Sequence, residues 1–224
     1  MSEHVHIHAP EEIEHPSGPL SRRERIFELA AAVLLSLATL GIAWSGYQAA
    51  KWSGLQSRRY AQASSARAEA NRATVAADQD RTQDLLNFNR WLEVSTEGNQ
   101  PLADLYRRRF RSEFQPAFLA WLDQDPLHNI NAVASPLYMP QYKLASAAKA
   151  DQLETLGTRY FNEGRDATEH TDAYVLTTVF FAAVLFFAGI SSRFDWQKMR
   201  AVLLVLATLG LAYAAFRIFT LPYV

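Results

Sequence analysis

The sequence predicts an all-α membrane protein: three transmembrane helices, with a long extramembrane helical-bundle or coiled-coil-like domain between the first and the second. Three observations predict it. Residues 26–44, 173–190 and 201–219 are apolar runs of about the length that crosses a hydrocarbon core of roughly 30 Å. The polar stretch after the first run has no proline until Pro101 and is rich in Ala, Gln, Arg and Glu, the composition of a good helix former. The second and third runs are separated only by SSRFDWQKMR, which forces a tight antiparallel hairpin.

Composition narrows the function classes. The chain has 224 residues, 49% of them hydrophobic, and a formal net charge of -1. A net charge so close to zero argues against nucleic acid as a partner, because no overall positive field draws phosphates in. There is no cysteine, so disulfides, iron–sulfur clusters, thiol catalysis and Cys-type zinc sites are excluded.

Residues 1–21 carry three prolines, a glycine, several glutamates and four histidines, and read as a flexible His/Glu/Pro tail without enough apolar content to order itself. The long acidic tail ahead of the first run, and the bulky Trp44 and Tyr47 among the small residues after it, read as a retained anchor rather than a cleaved leader. His4, His6 and His8 alternate, so an extended chain would put their imidazoles on one face as a weak metal site. The plainer reading is a solvated tail with no scaffold to hold ligands.

The first transmembrane helix is placed at 22–46, the second at 173–191 and the third at 201–220, with a loop at 192–200. Arg22, Arg23 and Arg25 precede the first span, and Arg193, Lys198 and Arg200 lie between the second and third. Both basic clusters fall on one side, which the positive-inside rule makes the cytoplasm. The expectation is therefore a multi-pass protein of a bacterial inner membrane, its N-terminus cytoplasmic and its C-terminus and large loop periplasmic.

Residues 47–172 form the expected periplasmic helical domain. Its first helix continues the first span over about 47–97, roughly 75 Å at 1.5 Å per residue. Gly98 just past its end and Pro101 opening the next element mark the boundary. A second helix is expected at about 101–122, with Leu102, Leu105, Tyr106, Phe110, Phe114, Ala117, Phe118 and Trp121 on its apolar face, and Pro116 kinking or restarting it. The Pro-rich loop 124–140 is irregular. A third helix at about 141–172 runs straight into the second span, antiparallel to the outgoing helix.

Several constellations invite a functional reading. Gly46, Ala50 and Gly54 repeat every four residues, as do Gly210 and Ala214, and small residues at that spacing admit close helix packing. Beyond Gly54 a seam continues through Ala61, Ser64, Ala68 and Asn71, then Val75, Asp78, Thr82, Leu85, Asn89 and Leu92 at heptad spacing. It reads either as the axis of a homo-oligomer or as packing against the returning helix. Its polar members Asn71, Asp78, Thr82 and Asn89 cost stability at core positions unless partnered or wet; they set register, line a hydrated path, or mark the wrong face. Asp78, Asp80 and Asp84 lack the glycine a calcium loop needs and read as a solvated helix face. Arg107, Arg108, Arg109 and Arg111 form a basic run suited to anionic headgroups or an acidic partner, with Asp104 and Glu113 as helix-spaced partners for Arg108 and Arg109.

Apart from Glu28 near the start of the first, the spans at 26–44 and 173–190 hold no Asp, Glu, Lys, Arg or His, and the third only Arg217 near its end. Proton relays and coupled ion sites use such residues, so a stand-alone pump or coupled transporter is not expected. No phosphate loop, nucleophile elbow or H-E-x-x-H helix is present, and neither an enzyme activity nor a cofactor has residue-level support.

TLGIAWSGYQAAKWSG after the first span, FQPAFLAWLDQDPLHNINAVASPLYMPQY in the middle and YVLTTVFFAAVLFFAGISSRF at the second span resemble a group of uncharacterised bacterial inner-membrane proteins, a domain of unknown function. The resemblance implies the three-span architecture and transfers no catalytic or binding residue.

The function expected is a non-enzymatic, homo-oligomeric scaffold or partner-binding protein, set in the lipid bilayer and meeting a periplasmic or membrane protein partner. Leu137, Tyr138, Met139 and Tyr142 of the Pro-rich loop are its expected contact surface, or else cap the bundle. A channel or transport accessory subunit with the polar seam on a shared axis is the alternative, and a periplasmic sensor with a separate output partner is a third.

Overall fold

The structure is a computed structural model and describes residues 22–194 and 196–224. Among them all regular structure is helical: α1 (Arg22–Thr96), α2 (Gln100–Arg108), α3 (Gln115–Leu122), a 3-10 turn at Pro136–Tyr138, α4 (Ala145–Ser191) and α5 (Gln197–Thr220). Three of these helices, α1, α4 and α5, are long and apolar enough to cross a membrane. His4, His6 and His8 lie outside the described residues.

The chain divides into two units. One takes the described residues up to Ala49 together with Asp172–Val224; the other is Ala50–Thr171. In the first unit, α1, α4 and α5 share a core of Ala31, Leu34, Ala38, Phe181, Val184, Ala188, Leu204, Ala207 and Ala214. Small residues set the spacing there. A Cβ on Gly41 would collide with the Phe181 ring, and one on Gly210 would stand 3.1 Å from a Val184 methyl. The remaining surface is strongly apolar, with Leu29, Leu40, Phe186 and Leu209 more than three-fifths exposed, as a lipid-facing helix surface requires.

In the second unit α1 runs antiparallel to α4. Residue numbers rise along one helix as they fall along the other: Trp52 meets His170, Tyr60 meets Thr168, and Asp80 meets Ser146. The inward faces are small. Ala63, Ala66, Ala70, Ala73 and Ala77 are all buried on α1, and Ala150, Gly157 and Gly164 lie seven apart on α4. A Cβ on Gly157 would lie 3.4 Å from the Ala63 carbonyl oxygen and 3.6 Å from the Ala66 Cβ. Backbones come this close only where side chains are absent or single methyls, and heptad spacing keeps the seam facing its partner.

Farther along, the small seam gives way to aromatics. Phe88 and Trp91 of α1 pack on Phe110, Phe114, Phe118 and Trp121, with Leu137 and Met139 of the loop in the same cluster. Trp91 and Phe118 meet edge to face at 4.7 Å between centroids, a favourable ring geometry.

The end of α1 is a Schellman cap. The Asn99 N–H donates to Val94 O and the Gly98 N–H to Ser95 O, with Gly98 at φ +80, the left-handed conformation glycine adopts freely. Asn99 then accepts from the Leu102 N–H as the N-cap of α2.

The single helix expected at 101–122 is two, α2 and α3, separated by residues 109–114. Pro116 restarts the chain in the first turn of α3, where its missing N–H removes no hydrogen bond. The helix expected from about 141 begins at Ala145, and α5 begins at Gln197, ahead of the apolar run that starts at residue 201.

Candidate functional site

The part of α1 in the second unit has two stripes at heptad spacing, and only one is used inside the chain. The inward one places Ala63, Ala70, Ala77, Asp84 and Trp91 seven apart, all buried, with Ala66, Ala73 and Val94 beside them. The stripe singled out from the sequence is displaced from it by two residues, a turn of about 200° around the helix. Ala61, Ser64, Ala68, Asn71, Val75, Asp78, Thr82, Leu85 and Asn89 are accordingly all exposed, and Leu92 is half-buried. The reading of this seam as packing against the returning helix is therefore corrected: Ala63 and Ala66 of the inward stripe lie against α4, while Asp84 and Trp91 face Arg111 and the aromatic cluster. The cost attached to Asn71, Asp78, Thr82 and Asn89 as buried polar groups does not arise within one chain.

The exposed stripe is unlike an ordinary solvated face. Nine of its ten positions are uncharged. Val75 is 55% exposed and the adjoining Leu86 64%, and both line a shallow groove of about 470 Å³ with Asp78, Gln79, Thr82, Gln83 and Asn87. Among the other small residues, Gly46 has open space where a side chain would be, and Gly54 has only the Arg58 side chain at 4.0 Å. Ala50 is exposed. Gly210 and Ala214 are the pair that packs, against α4 and in the core of the first unit.

The second feature is a half-buried ion cluster around the buried Asp84 that the sequence did not announce. Asp84, read as part of a solvated face, is 1% exposed. Arg111 reaches it from the segment between α2 and α3: Nη1 donates to Asp84 Oδ2 at 2.9 Å, while Nη2 lies 3.1 Å from Asp80 Oδ2 and 2.6 Å from Glu113 Oε2. The Tyr142 hydroxyl donates to the same Asp84 oxygen at 3.0 Å. Ser146 Oγ donates to Asp80 and the Ala145 N–H to Glu113, so the acids also hold the start of α4. Burial pushes the Asp84 carboxyl above the usual carboxylate range, against the pull of Tyr142 and Arg111. Burial, with the Asp84 charge beside it, pushes the Tyr142 phenol well above its ordinary value.

This is a structural clasp. A buried carboxylate is tolerated when its charge is paired and hydrogen-bonded, and Asp84 Oδ2 receives both Arg111 and Tyr142. Asp80 and Asp84 are turned to one guanidinium, and no group of three or more His, Asp or Glu side chains among the described residues is placed to hold a metal ion. Glu113, assigned from spacing to Arg109, goes to Arg111 instead.

The Pro-rich loop is corrected as well. Leu137 and Met139 are buried in the aromatic cluster, and Tyr142 is committed to Asp84. Of the four, only Tyr138, at 72% exposure, faces solvent. The Trp121 indole N–H donates to Val133 O at 2.6 Å and Gln124 Oε1 accepts from the Val133 N–H, so the loop closes over the end of the cluster. Leu137 and Met139, between Pro136 and Pro140, turn inward and cap the cluster, while Leu127, Ile130 and Tyr138 are exposed.

No family model matches the chain, and neither a curated protein nor a solved structure matches it.

The site must therefore be judged on its own chemistry. Asp84 and its partners are spent on holding the fold, and the uncommitted surface includes the outward stripe of α1 and the arginines around the end of α2.

Proposed function

We propose that this is a non-enzymatic, homo-oligomeric scaffold of a bacterial inner membrane, in which the outward stripe of α1 pairs with the same stripe of a second copy. The observation that carries the reading is the stripe itself: heptad-spaced over residues 61–92, short-chained, nearly uncharged, and left uncovered by the chain's own helices. Short side chains let a second backbone approach closely, and apolar Val75, Leu85 and Leu86 supply area to bury. Anchoring both copies in one bilayer raises their effective concentration, so a modest interface suffices.

On this reading the apolar segments of α1, α4 and α5 span the membrane. The basic residues around Arg23 and Arg200 stay in the cytoplasm by the positive-inside rule, and residues 50–171 stand in the periplasm. Asn71, Asp78, Thr82 and Asn89 then face their copies across the axis, where short polar side chains fix register.

Two measurements test it. A periplasm-dependent reporter enzyme fused after Gln100 is expected to be active, and a cytoplasm-dependent one silent; the reverse pattern withdraws the topology. Light scattering of the purified protein in detergent is expected to give a multiple of the chain mass, and Val75→Glu together with Leu86→Glu to return it to one chain. A monomeric mass in the unmutated protein at micromolar concentration contradicts the scaffold.

A further inference from the structure

The structure assigns a second binding feature to residues 50–171: a basic cleft between α2 and α3 that takes an acidic peptide segment of a partner protein, independently of self-association. Arg107 and Arg108, from the last turn of α2, stand on its rim with Asp104. Phe110 and Phe118 form its apolar floor, packed edge to face at 4.8 Å, and Leu119, 45% exposed, completes the wall. The volume is about 380 Å³.

Three features point to that occupant. Arg107, Arg108 and Arg109 are exposed and make no ion pair among the described residues, and Glu113, the acid expected for Arg109, is held by Arg111. The partial negative charge at the end of α2 accounts for one cation there. A nine-residue helix has no use for three. The lining carries two guanidiniums, Arg107 and Arg108, against the single carboxylate of Asp104, so the cleft favours anions, and guanidinium is the side chain best shaped to grip carboxylates in pairs.

The floor then adds a preference that charge alone does not. Leu119, 45% exposed over the buried Phe110 and Phe118, gives an apolar side chain somewhere to go between the carboxylates. Arginine beside aromatic surface is the composition enriched at protein–protein hot spots. A cleft open along one side, with its cations outermost, suits a segment laid across it better than an enclosed small ligand, whose pocket would bury most of its surface. The ligand is thus an Asp- or Glu-rich segment interrupted by Leu or Phe.

The test uses the full chain in nanodiscs of zwitterionic lipid and fluorescence anisotropy of a labelled twelve-residue peptide alternating Glu with Leu. Binding is expected to saturate, and to weaken as salt rises, since the contacts are exposed. It should be lost when Gln replaces Glu in the peptide. Arg107→Glu with Arg108→Glu should weaken binding at least tenfold, and Leu119→Ala severalfold. Arg72→Glu, on α1, should leave it unchanged, and Val75→Glu with Leu86→Glu, which breaks the proposed self-association, should leave it unchanged too. Unaltered circular dichroism keeps a folding defect from imitating the result. Equal binding of the Glu and Gln peptides, equal binding by the Arg107/Arg108 variant, or no binding at all overturns the proposal. Flotation with phosphatidylglycerol vesicles but no response to the peptide would also overturn it, by giving the cleft to lipid headgroups.

Discussion

Arg111 Nη1 stands 2.9 Å from Asp84 Oδ2, joining the segment between α2 and α3 to the buried face of α1. The same guanidinium answers Asp80 and Glu113, and Tyr142 brings the loop before α4 to the same carboxylate. Through Asp84 the clasp thus joins three stretches of chain, Arg111 holding the segment between α2 and α3 and Tyr142 the loop before α4. Removing Arg111 strands a carboxylate out of water. Arg111→Met is expected to destabilise the second unit by about 3–5 kcal/mol, while adding Asp84→Leu should recover much of that. Denaturation followed by circular dichroism in detergent measures both.

The pH dependence follows from the direction of the Asp84 shift. A carboxyl whose value is raised in the folded state binds its proton more firmly folded than unfolded, so the group contributes most stability below its unfolded value. That contribution declines as pH climbs through the raised folded value and is flat above it. Arg111 and Tyr142 oppose the rise and Asp80 supports it. The prediction is that unmutated protein loses melting temperature relative to Asp84→Asn as pH increases from about 4. A difference independent of pH contradicts it.

The two tyrosines of the Pro-rich loop should part company. Tyr142→Phe deletes a hydrogen bond to a buried charged group and is expected to lose about 1.5–3 kcal/mol. Tyr138→Ala, at a solvent-facing position, should stay within about 0.5 kcal/mol. Melting curves of the two variants check this, and equal effects would return the loop to being one surface.

Glycines divide in the same way. Gly157→Leu must push α1 away where its carbonyl lies against the α4 backbone, an overpacking worth about 1–3 kcal/mol. Gly46→Ala meets nothing and should be neutral or gain up to about 1 kcal/mol of helix propensity. Thermal melts of both proteins distinguish them.

The broad architecture was legible because it rests on length and composition. Apolar runs near residues 26, 173 and 201 mark the membrane-length helices, and Gly98 and Pro101 mark the end of α1. The rotation of α1 was harder. Small residues recur at heptad spacing on both faces, Ala61 and Ala68 on one and Ala63 and Ala70 on the other, so periodicity alone leaves two solutions about half a turn apart. Phe88 and Trp91 held the signal: large aromatics seldom face water in a row, and counting back by sevens from Trp91 gives Asp84, Ala77, Ala70 and Ala63. Asp84 looked solvated because its partner lies 27 residues away, beyond the reach of helix-spacing rules. The loop side chains were read by composition, whereas their direction depends on an aromatic cluster assembled from four separate segments.

The central claim, that α1 turns one stripe to its own chain and the other to a second copy, is tested most directly by a cysteine scan. The chain has no native thiol, so each introduced cysteine reports alone. Single cysteines from Ala61 to Asn89, oxidised in native membranes, are expected to give disulfide-linked dimers that peak at Ala61, Ala68, Val75 and Thr82 and vanish at Ala63, Ala70 and Ala77. Absence of dimers along the whole outward stripe, or equal yields on both stripes, would contradict the account.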